Sequence, residues 1–409
     1  MGAGDLVIVG GAERPRRAEI LRVFVDLAGG PGGRFLIIPT ATEDPLGGHE
    51  RMRTWLGELG VPAGRVELLE LSSAIPGWAE GAEDPAQVAK IGEANGIWFL
   101  GGDQNRTIKL LLGLDGSETR ALKAIRRRQA EGAVLGGTSA GASVMCDPMI
   151  GGGSSFGALA LPRAPSLAET TAGASPGSDE RRLFVTRGLG FFPCGIVDQH
   201  FDTRARLGRL LEAALVEDGG RRLAFGVAEA TALVYRAVEG RIEVAGSGGL
   251  YIVDTRVARR GSLRGRTSIE GAILHYLRPG DRWLLAAGHA EFGGDEEIGP
   301  AEASFAVERP CASGVLSSYG GLAEFAARML LDNKPECLHL DPRTGLRYAR
   351  SWLIEDDGAG EMAWELRLSR SAGAPGGPPP SRLFHGAGYS FENVVVDILP
   401  VEMRIDRYR

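Results

Sequence analysis

Ser139 lies within Gly137-Thr138-Ser139-Ala140-Gly141, directly after the apolar run Gly132-Ala133-Val134-Leu135-Gly136. A serine between small residues, where a buried strand meets a helix, fits a nucleophile on a sharp turn. Larger neighbours would crowd that turn, and the hydroxyl is left exposed at the strand's carboxyl end. The N–H of Ala140, first in the helix, would point at an oxyanion formed on a carbonyl attacked by Ser139. In a chain with 61 glycines the motif alone carries little weight. It needs a base, because a serine hydroxyl is a weak nucleophile near neutral pH until an imidazole takes its proton. Of the six histidines, His200 alone ends an apolar run, Cys194-Gly195-Ile196-Val197, that reads as a short buried strand. Strands of one parallel sheet end on a common edge, which would let Ser139 and His200 converge. The plainer alternative is a hydrogen-bonded structural histidine. Glu229 interrupts a third strand-like run, Phe225 to Val234. A buried acid there needs a partner, and a histidine N–H is a good one.

The elements that must hold these groups alternate regularly from residue 5 to 254. Leu6–Val9, Phe35–Ile38, Val66–Leu71, Gly96–Leu100, Ala133–Leu135 and Ile196–Val197 read as strands. Arg17–Leu27, Glu50–Leu59, Ala86–Glu93 and Ser117–Gln129 carry helical spacing. This pattern predicts an α/β domain over 1–254: a flavodoxin-like, mostly parallel sheet with helices on both faces. A helix is expected from Phe201 to Val216, with Arg204 and Arg206 in its first turns. Residues two apart do not share a helix face, so about two of Arg204, Arg206 and Arg209 are expected in the pocket. Gly10-Gly11 lacks the Gly-x-Gly-x-x-Gly pattern of a dinucleotide site. Gly101-Gly102 reads either as an ordinary turn or as a backbone loop near the serine, where the N–H of Gly102 or Asp103 would join Ala140 in an oxyanion hole. Thr255–Thr267 is basic and polar and marks a plausible boundary. Beyond it, 255–409 reads as a C-terminal mixed α+β region, with a helix at Leu322–Leu331, strands at Arg347–Ile354, Met362–Leu368 and Val394–Ile398, and a Pro/Gly-rich loop at Ser371–Ser381.

Several of these stretches together resemble a known family. They are Val7-Ile8-Val9-Gly10-Gly11, Ile38-Pro39-Thr40-Ala41, Gly101-Gly102-Asp103-Gln104, the stretch from Gly137 to Ala142, and Gly226 to Ala232. To these is added Asp198-Gln199-His200-Phe201 with its following arginines, the most specific part. The chain resembles the cyanophycinases, serine peptidases related to dipeptidase E and, in fold, to the class I glutamine amidotransferases. The resemblance implies a Ser139–His200–Glu229 triad, with Gln104, Asp198, Gln199, Arg204, Arg206 and Arg209 contacting substrate. It also implies a substrate, cyanophycin, in which arginine is joined to each side-chain carboxyl of polyaspartate, and β-aspartyl-arginine as product. On that reading Asp103 or Asp198 would meet the substrate guanidinium. Three departures stand out: a long Ala/Ser/Pro/Gly-rich stretch from Gly151 to Arg182 that reads as a loop or lid, Ala228 and Ala230 in place of acids, and roughly 150 extra C-terminal residues.

Composition narrows the classes. A formal charge of −6 gives no reason to expect nucleic-acid binding. No run of about 18 apolar residues suggests a membrane helix. The start, Met1-Gly2-Ala3-Gly4-Asp5-Leu6, lacks the basic region of a signal peptide. Cys146, Cys194, Cys311 and Cys337 are too widely spaced for a zinc motif and fit reduced thiols in a cytoplasm. His289-Ala290-Glu291 beside Gly293-Gly294-Asp295-Glu296-Glu297 could be drawn as a metal site, but a solvated polar loop is the simpler reading. The expectation is therefore an acyl-transfer enzyme needing no metal or organic cofactor, with a homodimer left open. Two alternatives are kept: a related hydrolase or acyl transferase acting on α-aspartyl dipeptides or a small peptide metabolite, and a non-catalytic binding protein on the same fold.

Overall fold

The computed structural model describes residues 3–12, 17–113, 115–163, 180–216, 223–263, 265–299, 321–331, 338–342, 344–354, 362–373, 377–385 and 388–402. The chain opens with β1 (Leu6–Val9), β2 (Phe35–Ile38), β3 (Val66–Leu68), β4 (Gly96–Phe99) and β5 (Val134–Thr138), alternating with α1 (Arg17–Leu27), α2 (Pro45–Gly57), α3 (Pro85–Glu93), α4 (Gln104–Leu111) and α5 (Arg120–Ala130). Each strand is an apolar run too short for a helix, and the helices start at polar caps: the Asp44, Asp84, Asp103 and Thr119 side chains accept first-turn N–H groups. These five strands pair in parallel in the order β3-β2-β4-β5-β1.

Past the serine come α6 (Ala140–Ser143), the hairpin partners β6 (Met149–Gly152) and β7 (Phe184–Thr186), and between them α7 (Ser155–Ala160). The start of the 151–182 stretch is thus strand and helix rather than loop; residues 164–179 lie outside the described residues. β8 (Gly195–Asp198) precedes His200, and α8 (Leu207–Val216) follows it. β9 (Leu223–Val227), β10 (Thr231–Arg236), β11 (Arg241–Gly246) and β12 (Leu250–Asp254) come next.

β10 adds antiparallel to β1, and β11, β15 (Arg282–Leu284) and β16 (His289–Glu291) extend that edge, so the first sheet has nine strands among the described residues. It is mixed rather than mostly parallel. Short connections such as the four residues between β10 and β11 can only reverse the chain, whereas parallel neighbours need a crossover.

A second sheet, of eleven strands among the described residues, holds β8, β9, β12, β13 (Arg259–Leu263), β14 (Arg266–Leu277), β17 (Glu296–Ile298), β18 (His339–Leu340), β19 (Arg347–Ile354), β20 (Met362–Arg370), β21 (Arg382–His385) and β22 (Tyr389–Glu402). Its pairs are antiparallel except β8 with β9. The helix expected at Leu322–Leu331 begins as α9 (Leu322–Glu324) and continues as a wider π-helix, Phe325–Leu331. The position 254/255 is not a break in this framework. β12 pairs with β9 before it and β14 after it, and one continuous apolar core runs from Leu6 and Ile8 to Trp364 and Ile398. A smaller core fills the opposite face of the first sheet, under α1 and α2.

Candidate active site

Ser139 ends β5 with φ +54° and ψ −112°, a conformation that an L residue adopts only under strain, on the order of 1–3 kcal/mol. The small neighbours are required sterically. A Cβ on Gly137 would come within 2.3 Å of the Gly141 carbonyl oxygen, and one on Gly141 equally near that of Phe99. Ser139 Oγ lies 3.0 Å from His200 Nε2, and His200 Nδ1 lies 2.5 Å from Glu229 Oε1. The three side chains form one hydrogen-bonded relay.

His200 and Glu229 arrive by a different route from the one expected. The edge of β1 where another parallel strand would add is occupied by β10, so β8 cannot join that sheet and pairs instead with β9 in the second. Convergence across two sheets needs other fastening, and the end of β1 supplies it. The carbonyl of Val9 accepts the Ser139 N–H (3.0 Å), that of Gly10 the His200 N–H (2.7 Å), and that of Gly11 the Ala230 N–H (2.9 Å). Glu229 does not interrupt a strand; it sits on the bend Ala228–Ala230 where the chain leaves β9 and enters β10. His200 (φ +47°) and Ala230 (φ +51°) hold left-handed backbone at these fastenings.

Gly10 and Gly11 are thus site residues that the motif reading missed. A Cβ on Gly10 would meet the Ala228 carbonyl oxygen at 2.0 Å, and one on Gly11 (φ +105°) would meet His200 Cε1 at 2.3 Å. Their signal was visible as a Gly-Gly pair at a strand end, but only the contact partners reveal its purpose.

Burial lowers the pKa of His200, the Glu229 hydrogen bond raises it, and the nearby Arg204 charge lowers it again; the balance falls below 6.5, leaving the imidazole neutral and basic at pH 7. Of the two oxyanion candidates beside Gly101, Asp103 is ruled out geometrically. Its N–H donates to the Ala41 carbonyl (3.0 Å), and its carboxylate caps α4. Gly102 (φ +141°) admits no Cβ, which would fall 2.1 Å from the Ala41 oxygen.

The expected substrate contacts divide sharply. Asp198 is 1% exposed and takes Arg209 Nε (2.7 Å), Arg209 Nη2 (2.5 Å) and Arg206 Nη1 (3.3 Å). Burial pushes the Asp198 carboxyl up, but the two arginines outweigh it and hold it below the usual range; burial pulls Arg206 down to about 9. Asp198 therefore has its acceptors committed to the protein's own guanidinium groups. Arg206 also donates to the Gln199 carbonyl (2.5 Å) and Arg209 to that of Gly153 (2.6 Å). Residues 201–206 are turns ahead of α8, so Arg204 and Arg206 do not ride on the helix, and of the trio Arg204 alone is exposed. Gln104 donates its amide to the Ile150 and Gly151 carbonyls, 3.2 and 2.9 Å away, anchoring β6. Gln199 is buried with Oε1 unpartnered. Among the described residues no group of three or more His, Cys, Asp or Glu side chains could hold a metal, and no helix is long and apolar enough to cross a membrane.

An α/β scaffold with a strained serine, a neutral histidine and a carboxylate in relay defines a serine-type peptidase. Residues 6–242 match Peptidase family S51, and the chain belongs to that family. It is 34% identical over 287 residues to a cyanophycinase of Geminocystis herdmanii, covering 68% of this chain and 93% of that protein. A cyanophycinase of Nostoc sp. is 33% identical over 290 residues, covering 68% of this chain and 85% of that protein. Among solved structures, a peptidase from an acI-B1 Actinobacterium matches with a TM-score of 0.45 and 20% identity over 68% of this chain and 96% of that one.

Proposed function

We propose that this peptidase hydrolyses cyanophycin to β-aspartyl-arginine dipeptides through an acyl-enzyme on Ser139. One observation carries the reading: the relay from Ser139 Oγ through His200 to Glu229, at 3.0 and 2.5 Å, in a chain similar to cyanophycinases. His200 Nε2 takes the Ser139 proton as Oγ attacks the backbone carbonyl, and Glu229 holds the resulting imidazolium by its Nδ1–H. The N–H groups of Ala140 and Gly102 receive the oxyanion. The imidazolium returns its proton to the leaving amine, and water, activated by the same base, releases the dipeptide. Arg204 offers a forked donor to a substrate carboxylate, and Gln199 Oε1 offers an acceptor to a substrate guanidinium. In this reading Asp198, Arg206 and Arg209 shape the pocket wall rather than touch substrate.

Mass analysis of the products released from purified cyanophycin tests the proposal. β-Aspartyl-arginine is expected as the soluble product; free arginine or α-linked products would overturn it. Hydrolysis of α-aspartyl dipeptides is the second reading, favoured by the single exposed arginine of the trio, which gives fewer contacts to a multiply charged repeat. A competition between the two substrates separates them.

A further inference from the structure

Beside the nucleophile, under α1 and α2, lies a crevice of about 200 Å³ walled by Leu21, Met52 and Leu100. Gly101 lines it too, and on its other side adjoins the serine: a Cβ there would sit 3.4 Å from Ser139 Cβ and 3.9 Å from Oγ. A carbonyl held at Ser139 is therefore one glycine's width from the crevice. Two further lining residues carry polar atoms that the protein leaves unsatisfied. Trp98 is 1% exposed, and its indole N–H is buried with no partner; Thr138 Oγ1 is likewise buried and unpartnered. A buried donor without a partner favours any ligand that brings an acceptor to it.

The sign of that ligand follows from the remaining lining. Among the described residues Arg51 is its one charged side chain, and no carboxylate lines the crevice. Arg51 Nη1 donates to Asp44 at 3.2 Å, outside the lining, while Nη2 comes within 3.7 Å of where a Cβ on Gly48, another lining residue, would sit. A guanidinium in the crevice would meet Arg51's like charge. A carboxylate on a short aliphatic arm pairs with Arg51 and covers the apolar walls.

We infer that this crevice is a carboxylate subsite of the active site, taking the free α-carboxylate of an arginine unit in the polymer; the polymer's identity rests on the function proposed above, the carboxylate preference does not. Its test is a titration of the ¹⁵N-tryptophan-labelled protein with succinate and, in parallel, with agmatine, which has a guanidinium and no carboxylate. The Trp98 indole signal is identified by its loss in Trp98→Phe. A saturable shift with succinate, absent with agmatine and weakened at least fivefold in Arg51→Met, is expected. No shift, an equal response to both probes, or indifference to Arg51→Met would overturn the subsite and leave a crevice that holds only water. Kinetics supply the second reading: amidating the arginine carboxylates of a β-aspartyl-arginine substrate should raise KM several-fold with little change in kcat, and Arg51→Met should erase that difference. Absence of any turnover with that substrate would count against the proposed function, whereas the succinate titration reads the subsite independently.

Discussion

The parallel half of the nine-stranded sheet and the eleven-stranded sheet each deliver part of one relay, and they do so by different physics. β5 presents Ser139 through local sequence: glycine at 137 and 141 permits the turn, and the strained backbone follows from it. β8 and β9 present His200 and Glu229 through contacts distant in the chain, chiefly the Gly10 and Gly11 carbonyls. Beside them, Asp198, Arg206 and Arg209 form a buried ionic cluster that stabilises the wall of the second sheet. The difference teaches that a nucleophile can be encoded in five residues, whereas its base must be encoded by whatever packs around it.

The most severe test of that contrast removes the chemistry and keeps both supports. Ser139→Ala and His200→Ala should each lower kcat by about 10⁴-fold or more, and the double variant should be no worse, because the two act as a unit. Thermal unfolding should be little changed in Ser139→Ala; additive losses in the double variant would refute the relay. Glu229→Gln should cost about 10²- to 10⁴-fold in kcat. The neutral imidazole is the active form, so kcat/KM should fall as pH drops through a His200 pKa below 6.5. Removing Glu229 removes the contact that raises this value, so the acid limb should move further down in the pH profile of the variant.

Asp198→Asn probes the second sheet's own stability. It leaves two buried guanidinium groups without their counter-charge, which costs about 3–5 kcal/mol, read by denaturant unfolding. A stable variant with only a raised KM would return Asp198 to the substrate. Gly11→Ala probes the fastening itself. With its Cβ aimed 2.3 Å from His200 Cε1, kcat should fall by about 10²-fold while far-UV CD stays native. The smallest effect is expected at Arg204, the exposed member of the trio. Arg204→Lys should weaken kcat/KM by about tenfold without changing stability, since the charge stays and the fork is lost.

Much was legible in the chain alone because it is written locally. β1, β2, α1 and β19 fall at their expected residues, since apolar runs, helical spacing and caps act over a few positions. The Gly-Thr-Ser-Ala-Gly turn announced its serine for the same reason; His200 stood out at the end of an apolar run and Glu229 as a lone carboxylate within one. What the sequence could not declare was which edge each strand would join. β10 reverses onto β1, closes the parallel edge, and sends β8 and β9 to a second sheet completed by strands from beyond residue 254.

The same limit explains the arginines. Arg204, Arg206 and Arg209 are equivalent as letters, and helical spacing could say only that about two of the three would reach the pocket. Burial separated them: a guanidinium that loses water must find a carboxylate, and Asp198 is the buried carboxylate within reach of Arg206 and Arg209. Arg204 keeps its hydration and so remains available to a ligand. Residue chemistry and short-range pattern thus determined which groups can react. The pairing of distant strands and the desolvation it imposes decided which of them meet, which stay exposed, and which are committed to buried ion pairs.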